Sequence, residues 1–191
     1  RDSKEIESMA NLLVTGAAGF IGTSFVNYWH ASNPQDRIIV LDAVTYAGNK
    51  GNLSNLCAED WFVLVHGSIC AEPLVDSLLA KYDIDTIVHF AAESHVDSSI
   101  TGPDAFIDTN IVGTHCLLKA AKKFWIEEGA KPDHLFHHVS TDEVYGTLGA
   151  DDPAFSESTP YAPNSPYAAS KASSDHLVRS YHHTFGLKVT T

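Results

Sequence analysis

The chain has 191 residues, 44% of them hydrophobic and 19% charged, with a formal net charge of −12. That length and balance suit one domain with a sizeable core and exclude a disordered chain. The acidic surplus excludes nucleic acid and anionic membrane surfaces as natural partners, and no apolar run approaches the roughly 18–20 residues of a membrane span.

Arg1 to Ser8 is polar and precedes a strand-like run, so residues 1–10 read as a tail or an added segment. Asn11 to Thr15 is a short apolar strand closed by Gly16. Phe20 to His30 has apolar residues at helical spacing. Arg37 to Leu41 is a second strand ending at Asp42. Asp42 to Asn55, rich in Gly, Asn and Thr, is a loop with one turn of helix. Trp61 to Val65 is a third strand, Ala71 to Tyr82 a helix with Leu74, Leu78 and Leu79 on one face, and Thr86 to Phe90 a fourth strand. Asp104 to Glu128 is a long helix starting just after Pro103. His134 to Val139 is a fifth strand. Gly149 to Pro166 is a polar loop with four prolines, and Tyr167 to Phe185 is a helix closed by Gly186. A sixth strand opens at Leu187.

Short strands that are apolar on both faces, each separated by a helix, indicate an α/β fold: a doubly wound parallel sheet of the Rossmann type. A domain seldom stops inside a strand. Residues 11–191 are therefore expected to be a truncated dinucleotide-binding domain, with a C-terminal substrate domain absent from the chain.

The first strand runs into Thr15-Gly16-Ala17-Ala18-Gly19-Phe20-Ile21-Gly22, with glycines at i, i+3 and i+6. Gly16 permits the tight turn out of the strand. Gly19 lets backbone approach a pyrophosphate at the helix N-terminus, and Gly22 lets that helix pack closely on the sheet. Asp42, twenty residues beyond Gly22, can accept hydrogen bonds from an adenosine ribose and would repel a 2′-phosphate, which favours NAD over NADP.

Ligands of such sheets bind at the carboxyl ends of the strands. The fourth strand is followed there by Ala91-Ala92-Glu93-Ser94-His95-Val96-Asp97, the fifth by Ser140-Thr141-Asp142-Glu143-Val144-Tyr145-Gly146. Tyr167 and Lys171 are one helical turn apart on one face. They are a surface contact or a proton-transfer pair, in which the ammonium lowers the phenol pKa and makes Tyr167 a base. Adjacent carboxylates Asp142 and Glu143 are solvated loop charge or, in differing environments, an acid and a base. His95 fits a substrate contact and a structural role equally. His137 and His138 point to opposite faces of a strand, the eleven histidines show no ligand spacing, and no metal is expected. Trp29, Trp61 and Trp125 read as packing residues. Cys57, Cys70 and Cys116 lack C-x-x-C spacing and read as reduced thiols of a cytoplasmic protein.

The Gly16-x-x-Gly19-x-x-Gly22 turn, the two strand-end segments and Tyr167-Ala168-Ala169-Ser170-Lys171 together resemble the extended short-chain dehydrogenases. They are most similar to the dTDP-glucose 4,6-dehydratases of the NAD-dependent epimerase/dehydratase family. The resemblance spans Asn11 to Thr191, and the Thr-Asp-Glu element separates the dehydratases from related epimerases. It implies NAD as bound cofactor, held by Gly16, Gly19, Phe20, Ile21, Gly22, Asp42, Ser68, Ile69, Ala91, Ala92, Thr109, Tyr167 and Lys171. It implies a nucleotide-sugar substrate, dTDP-glucose, contacted by Ser94, Thr141, Asp142 and Glu143.

The implied chemistry is a lyase reaction. Tyr167, beside Lys171, takes the C4 hydroxyl proton, with Thr141 bonded nearby. Glu143 removes the C5 proton, and Asp142 protonates the departing C6 hydroxyl. A 4-keto-6-deoxy sugar results. A homodimer through the helices at Asp104–Glu128 and Tyr167–Phe185 is also implied. Ser68 stands where the family usually has aspartate and Ser98 where it often has arginine. An epimerase or decarboxylase of the same kind, or a non-catalytic NAD-binding module, is the alternative.

Overall fold

The computed structural model describes residues 9–191. Strands β1 (Asn11–Thr15), β2 (Arg37–Asp42), β3 (Phe62–His66), β4 (Thr86–His89), β5 (Leu135–His138) and β6 (Val189–Thr190) form one sheet in the order β3-β2-β1-β4-β5-β6, every pair parallel. The order reverses between β1 and β4, which opens a crevice at the carboxyl ends of those two strands. The expected tail lies outside the described residues as far as Ser8. Ala10 is already tied in at the amino end of β1: its carbonyl accepts from Arg37 N at 2.9 Å and its N–H donates to Asp36.

The central residues of β1 and β2 are apolar at successive positions because both faces are covered. Leu12 and Val14 of β1 pack with Ile38, Val40, Val88 and Val26 of helix α1 (Phe20–Ser32). Leu13, between them, joins Ile39, Leu41, Ile87 and Phe136 beneath the helices on the other side. Those helices are α2 (Glu72–Tyr82), α5 (Thr114–Ala121) and α6 (Pro166–Phe185). Asp83, in the left-handed region with φ 52°, ends α2.

The long helix is present as one run over 104–127, but its hydrogen bonding changes along it. A short α4 (Asp104–Phe106) leads into a π-helical stretch, Ile107–Gly113, then α5, then a second π-helical stretch, Lys122–Glu127. Helix α6 starts at Ser165, whose Oγ accepts from Ala168 N at 3.0 Å, with Pro166 at the first helical position. It stops at Gly186, φ +74°. A further helix, α3 (Val96–Thr101), was not visible in the sequence. Its six residues are rich in Ser, Thr and Asp and too few to show a period; packing against α6 stabilises it.

Candidate active site

A cleft of about 430 Å³ opens at the switch point, and the whole expected cofactor set lines it: Gly16, Gly19, Phe20, Ile21, Gly22, Asp42, Ser68, Ile69, Ala91, Ala92, Thr109, Tyr167 and Lys171. Ser94 lines it as well. Thr141, Asp142 and Glu143 do not; they stand beside it, at the end of β5.

The three glycines have different physical reasons. Gly16 sits at φ +72°, and a Cβ there would lie 2.5 Å from Ala91 N. At Gly22 a Cβ would meet Ala17 Cα at 2.6 Å and Gly16 O at 2.7 Å, so the close packing is against the turn itself rather than the sheet. Gly19 is less crowded than the other two: a Cβ there would press on Gly16 O at 3.3 Å, tight but without the overlap found at Gly16 and Gly22. The fold demands its smallness less than at Gly16 or Gly22, and that smallness suits a ligand approaching from the cleft. Gly19 is also the N-cap of α1 and offers no side-chain cap, so the first-turn N–H groups face the cleft as an anion cradle. The Asp42 carboxylate is tied down on both oxygens, Oδ2 accepting from Ala18 N at 2.8 Å and Oδ1 from Val44 N at 2.6 Å. Each oxygen keeps a second lone pair for a ligand hydroxyl. These residues fit a dinucleotide.

Tyr167 and Lys171 enter from α6. The ring of Tyr167 is held edge-on by Phe106, 6.3 Å between centroids, and its hydroxyl meets Thr141. Burial raises the Tyr167 pKa, and Glu143 and Asp142 raise it further against the Thr141 bond. This differs from the sequence expectation of an ammonium-lowered phenol. The reason is geometric: Lys171 Nζ donates to Val139 O at 2.7 Å, and Lys171 is only 4% exposed. Burial pulls its pKa down to about 8, opposed by Asp175.

Thr141 caps a 3-10 turn, Asp142–Tyr145, its Oγ1 accepting from Glu143 N at 3.3 Å. Asp142 is exposed and Glu143 half-buried, so the two carboxylates do stand in different environments. His95 is exposed at the start of α3. Among the described residues no group of three or more His, Cys, Asp or Glu could hold a metal, and no helix is long and apolar enough to cross a membrane.

Several residues that matter here gave no sequence signal. Asn110, 1% exposed on the π-helical stretch, brackets the backbone of Glu93: Oδ1 accepts from its N–H at 2.8 Å and Nδ2 donates to its carbonyl at 3.0 Å. Nδ2 also donates to Ser170 Oγ at 2.8 Å, tying the loop after β4 to α6. Behind it runs a buried chain. Ala91 N donates to Thr15 Oγ1, which meets His89 Nδ1 at 2.7 Å. His89 Nε2 meets Thr114 Oγ1 at 2.9 Å, and Thr114 donates to Asn110 O. The Thr114 proton is committed to that carbonyl, so His89 donates from Nε2 and accepts at Nδ1, which is the neutral ring. A lone Asn or His in an apolar segment has no spacing to betray such a chain.

His89 and His138 are both buried, and burial lowers both pKa values; His138 and Lys171 lower His89 further. A histidine held neutral when folded binds its proton only when unfolded. Stability is therefore full above about pH 6.5 and falls as pH drops below it, by up to about 1.4 kcal/mol per unit for each ring. Urea midpoints at pH 7.5, 6 and 5 should fall in that order; a flat series would mean the rings protonate in place.

Residues 13–191 match the GDP-mannose 4,6 dehydratase family. A dTDP-glucose 4,6-dehydratase of Xanthomonas campestris is 53% identical over 185 residues, which are 96% of this chain and 52% of that protein. The dTDP-glucose 4,6-dehydratase 1 of Escherichia coli is 49% identical over 92% of this chain and 51% of its own length. The crystal structure of DesIV, a dTDP-glucose 4,6-dehydratase from Streptomyces venezuelae with NAD bound, superposes with a TM-score of 0.84 at 49% identity, covering 94% of this chain and 53% of that one. The chain thus spans about half the length of the curated relatives it matches. With a family match over nearly the whole chain and a cleft built as described, the chain belongs to the GDP-mannose 4,6 dehydratase family.

Proposed function

We propose that this chain is the NAD-binding part of a nucleotide-sugar 4,6-dehydratase that converts dTDP-glucose to its 4-keto-6-deoxy product and water. One observation carries the reading. Two carboxylates of unequal burial, Asp142 and Glu143, stand beside Tyr167 and Lys171 at the edge of the cleft, a surplus acid and base that oxidation or epimerisation does not require.

NAD held in the cleft would supply the hydride-transfer chemistry needed at the sugar C4 and C6. Everything else falls to the chain. The first turn of α1 holds the pyrophosphate, Asp42 the adenosine ribose, and Lys171 a ribose hydroxyl near the nicotinamide. Tyr167 accepts the C4 hydroxyl proton. A cationic cofactor ring held in the cleft would work against the burial that raises the Tyr167 pKa. Thr141, already beside the phenol, shares a hydrogen bond with that hydroxyl. The ketone at C4 acidifies the C5 proton, which Glu143 takes and gives back to C5 once C6 has been reduced. Asp142, open to solvent and able to recover a proton there, protonates the C6 hydroxyl as it leaves as water.

The test is incubation of the protein at its natural length with dTDP-glucose and NAD. The expected result is the alkali-dependent absorbance of a 4-keto sugar; an epimer without keto product would sink the reading.

We assign the protein to the cytoplasm, which the free thiols of Cys57, Cys70 and Cys116 support. A homodimer is supported by apolar side chains left exposed on the 104–127 run and α6, among them Ile107, Val112 and Phe185. Sedimentation giving a monomer at micromolar concentration would refute it.

A further inference from the structure

One buried charge beneath the site has no part in the chemistry proposed so far. Asp175 follows Tyr167 and Lys171 at the same four-residue interval on α6, so the three share a face. It is 5% exposed. Its Oδ2 accepts from two hydroxyls, Ser140 Oγ at 2.6 Å and Tyr161 OH at 2.9 Å. A carboxylate taken out of water persists only where donors and counter-charge compensate it.

The partners are informative. Ser140 directly precedes Thr141, Asp142 and Glu143, and Val139 before it receives Lys171 Nζ. Two consecutive residues at the end of β5 are therefore gripped by two consecutive turns of α6. Tyr161 belongs to the loop that crosses the 3-10 turn, where Ala162 N donates to Val144 O at 2.9 Å. The Asp175 carboxylate thus joins the helix, the strand end and the loop at one point.

We propose that Asp175 is a positioning residue of this site: it fixes the Thr141–Asp142–Glu143 turn against Tyr167 and, one helical turn from Lys171 on the same face of α6, stands as its buried counter-charge. The kinetic consequences rest on the reaction proposed above; the electrostatic one does not.

The groups that surround Lys171 leave this role to Asp175. On α6 itself the other titratable neighbour is Tyr167, neutral at physiological pH. From β5 and β4 come His138 and His89, both held uncharged by burial. Ser174 Oγ donates to Lys171 O, so it accepts from His138 Nε2, 3.1 Å away, which fixes that ring as the Nε2–H form beside Asp175 Oδ1. Glu93 lines the cleft, and Asp142 and Glu143 face the phenol. Asp175 is the anion that raises the Lys171 pKa against its burial.

The experiment compares wild type, Asp175→Asn and Ser140→Ala at natural length. The Lys171 Nζ resonance is followed against pH in protein labelled with 15N-lysine and assigned by Lys171→Arg. In Asp175→Asn the midpoint should fall by about one unit. The alkaline limb of turnover with dTDP-glucose should move down with it, leaving activity at pH 8 about five- to tenfold lower with KM little changed. In Ser140→Ala the midpoint should stay while kcat falls about tenfold, because the anchor is lost and the charge kept. An unmoved Lys171 midpoint in a folded Asp175→Asn overturns the counter-charge; Ser140→Ala within twofold of wild type overturns the anchoring. If Asp175→Asn does not fold, Asp175→Ser carries the same readouts. Absence of keto product from the wild type would remove the reaction reading alone, since the titration still decides the charge.

Discussion

Replacing Glu143 by Gln should cut formation of the 4-keto-6-deoxy product by about 10²–10⁴-fold while leaving NAD affinity within about twofold. The amide keeps the size and one acceptor oxygen of the carboxylate and loses only its basicity. Glu143 lies outside the lining of the cofactor cleft, so binding should be untouched. Its backbone N–H, which caps the turn through Thr141 Oγ1, is retained, so the turn should persist. Product formation is read from the alkali-dependent absorbance and NAD affinity from quenching of tryptophan fluorescence. Transient NADH should still appear in the variant, since oxidation at C4 needs Tyr167 and not Glu143. Normal turnover would remove Glu143 as the base, and loss of the NADH transient would mean the substitution had disturbed the oxidation step as well.

The second large effect concerns the turn after β1. Gly16→Ala should destabilise the fold by about 3 kcal/mol or more, lowering the melting temperature by roughly 6–12 °C in a chain of this size. Two costs combine. The residue is held at φ +72°, where an L side chain is strained, and its Cβ would lie 2.5–2.9 Å from backbone atoms of Phe90 and Ala91. Those atoms cannot step aside, because Phe90 N and Ala91 N are bonded to Thr15. Gly19→Ala should behave differently. Its Cβ would press on Gly16 O at 3.3 Å but at an ordinary φ of −77°, so the cost should be about 1 kcal/mol, well below that of Gly16→Ala, while NAD affinity falls severalfold or more as the methyl intrudes on the anion cradle. Thermal unfolding with and without NAD separates the cases. Equal destabilisation by both would mean that Gly19, like Gly16, serves only the fold.

Much of the architecture was legible in the chain because burial on both faces leaves a simple mark. β1, β2 and β4 are short, apolar at successive positions and separated by segments of helical length, and only a covered parallel sheet explains that pattern. Helix α6 announced itself at both ends, through Ser165-Pro166 and Gly186. What escaped was local structure whose stability comes from elsewhere. The six residues of α3 have no period of their own, and the π-helical register of 107–113 cannot be seen in a sequence that reads as continuous helix.

The site divides the same way. The Gly16–Gly22 turn, Asp42, the Thr141–Glu143 element and the Tyr167–Lys171 spacing are contiguous or nearly so, and each carries its meaning within a few residues. The sequence by itself therefore determined a crevice at the strand ends with Tyr167 and Lys171 on one helix face and the adjacent carboxylates Asp142 and Glu143 nearby. Tertiary structure decided what those groups experience. Lys171 turns to Val139 O rather than to the phenol, Asn110 clasps Glu93 from 17 residues away, and Asp175 joins Ser140 from 35. Charge state and orientation depend on burial and on partners distant along the chain, so these roles emerge only where the folded backbone brings the partners to within hydrogen-bonding distance.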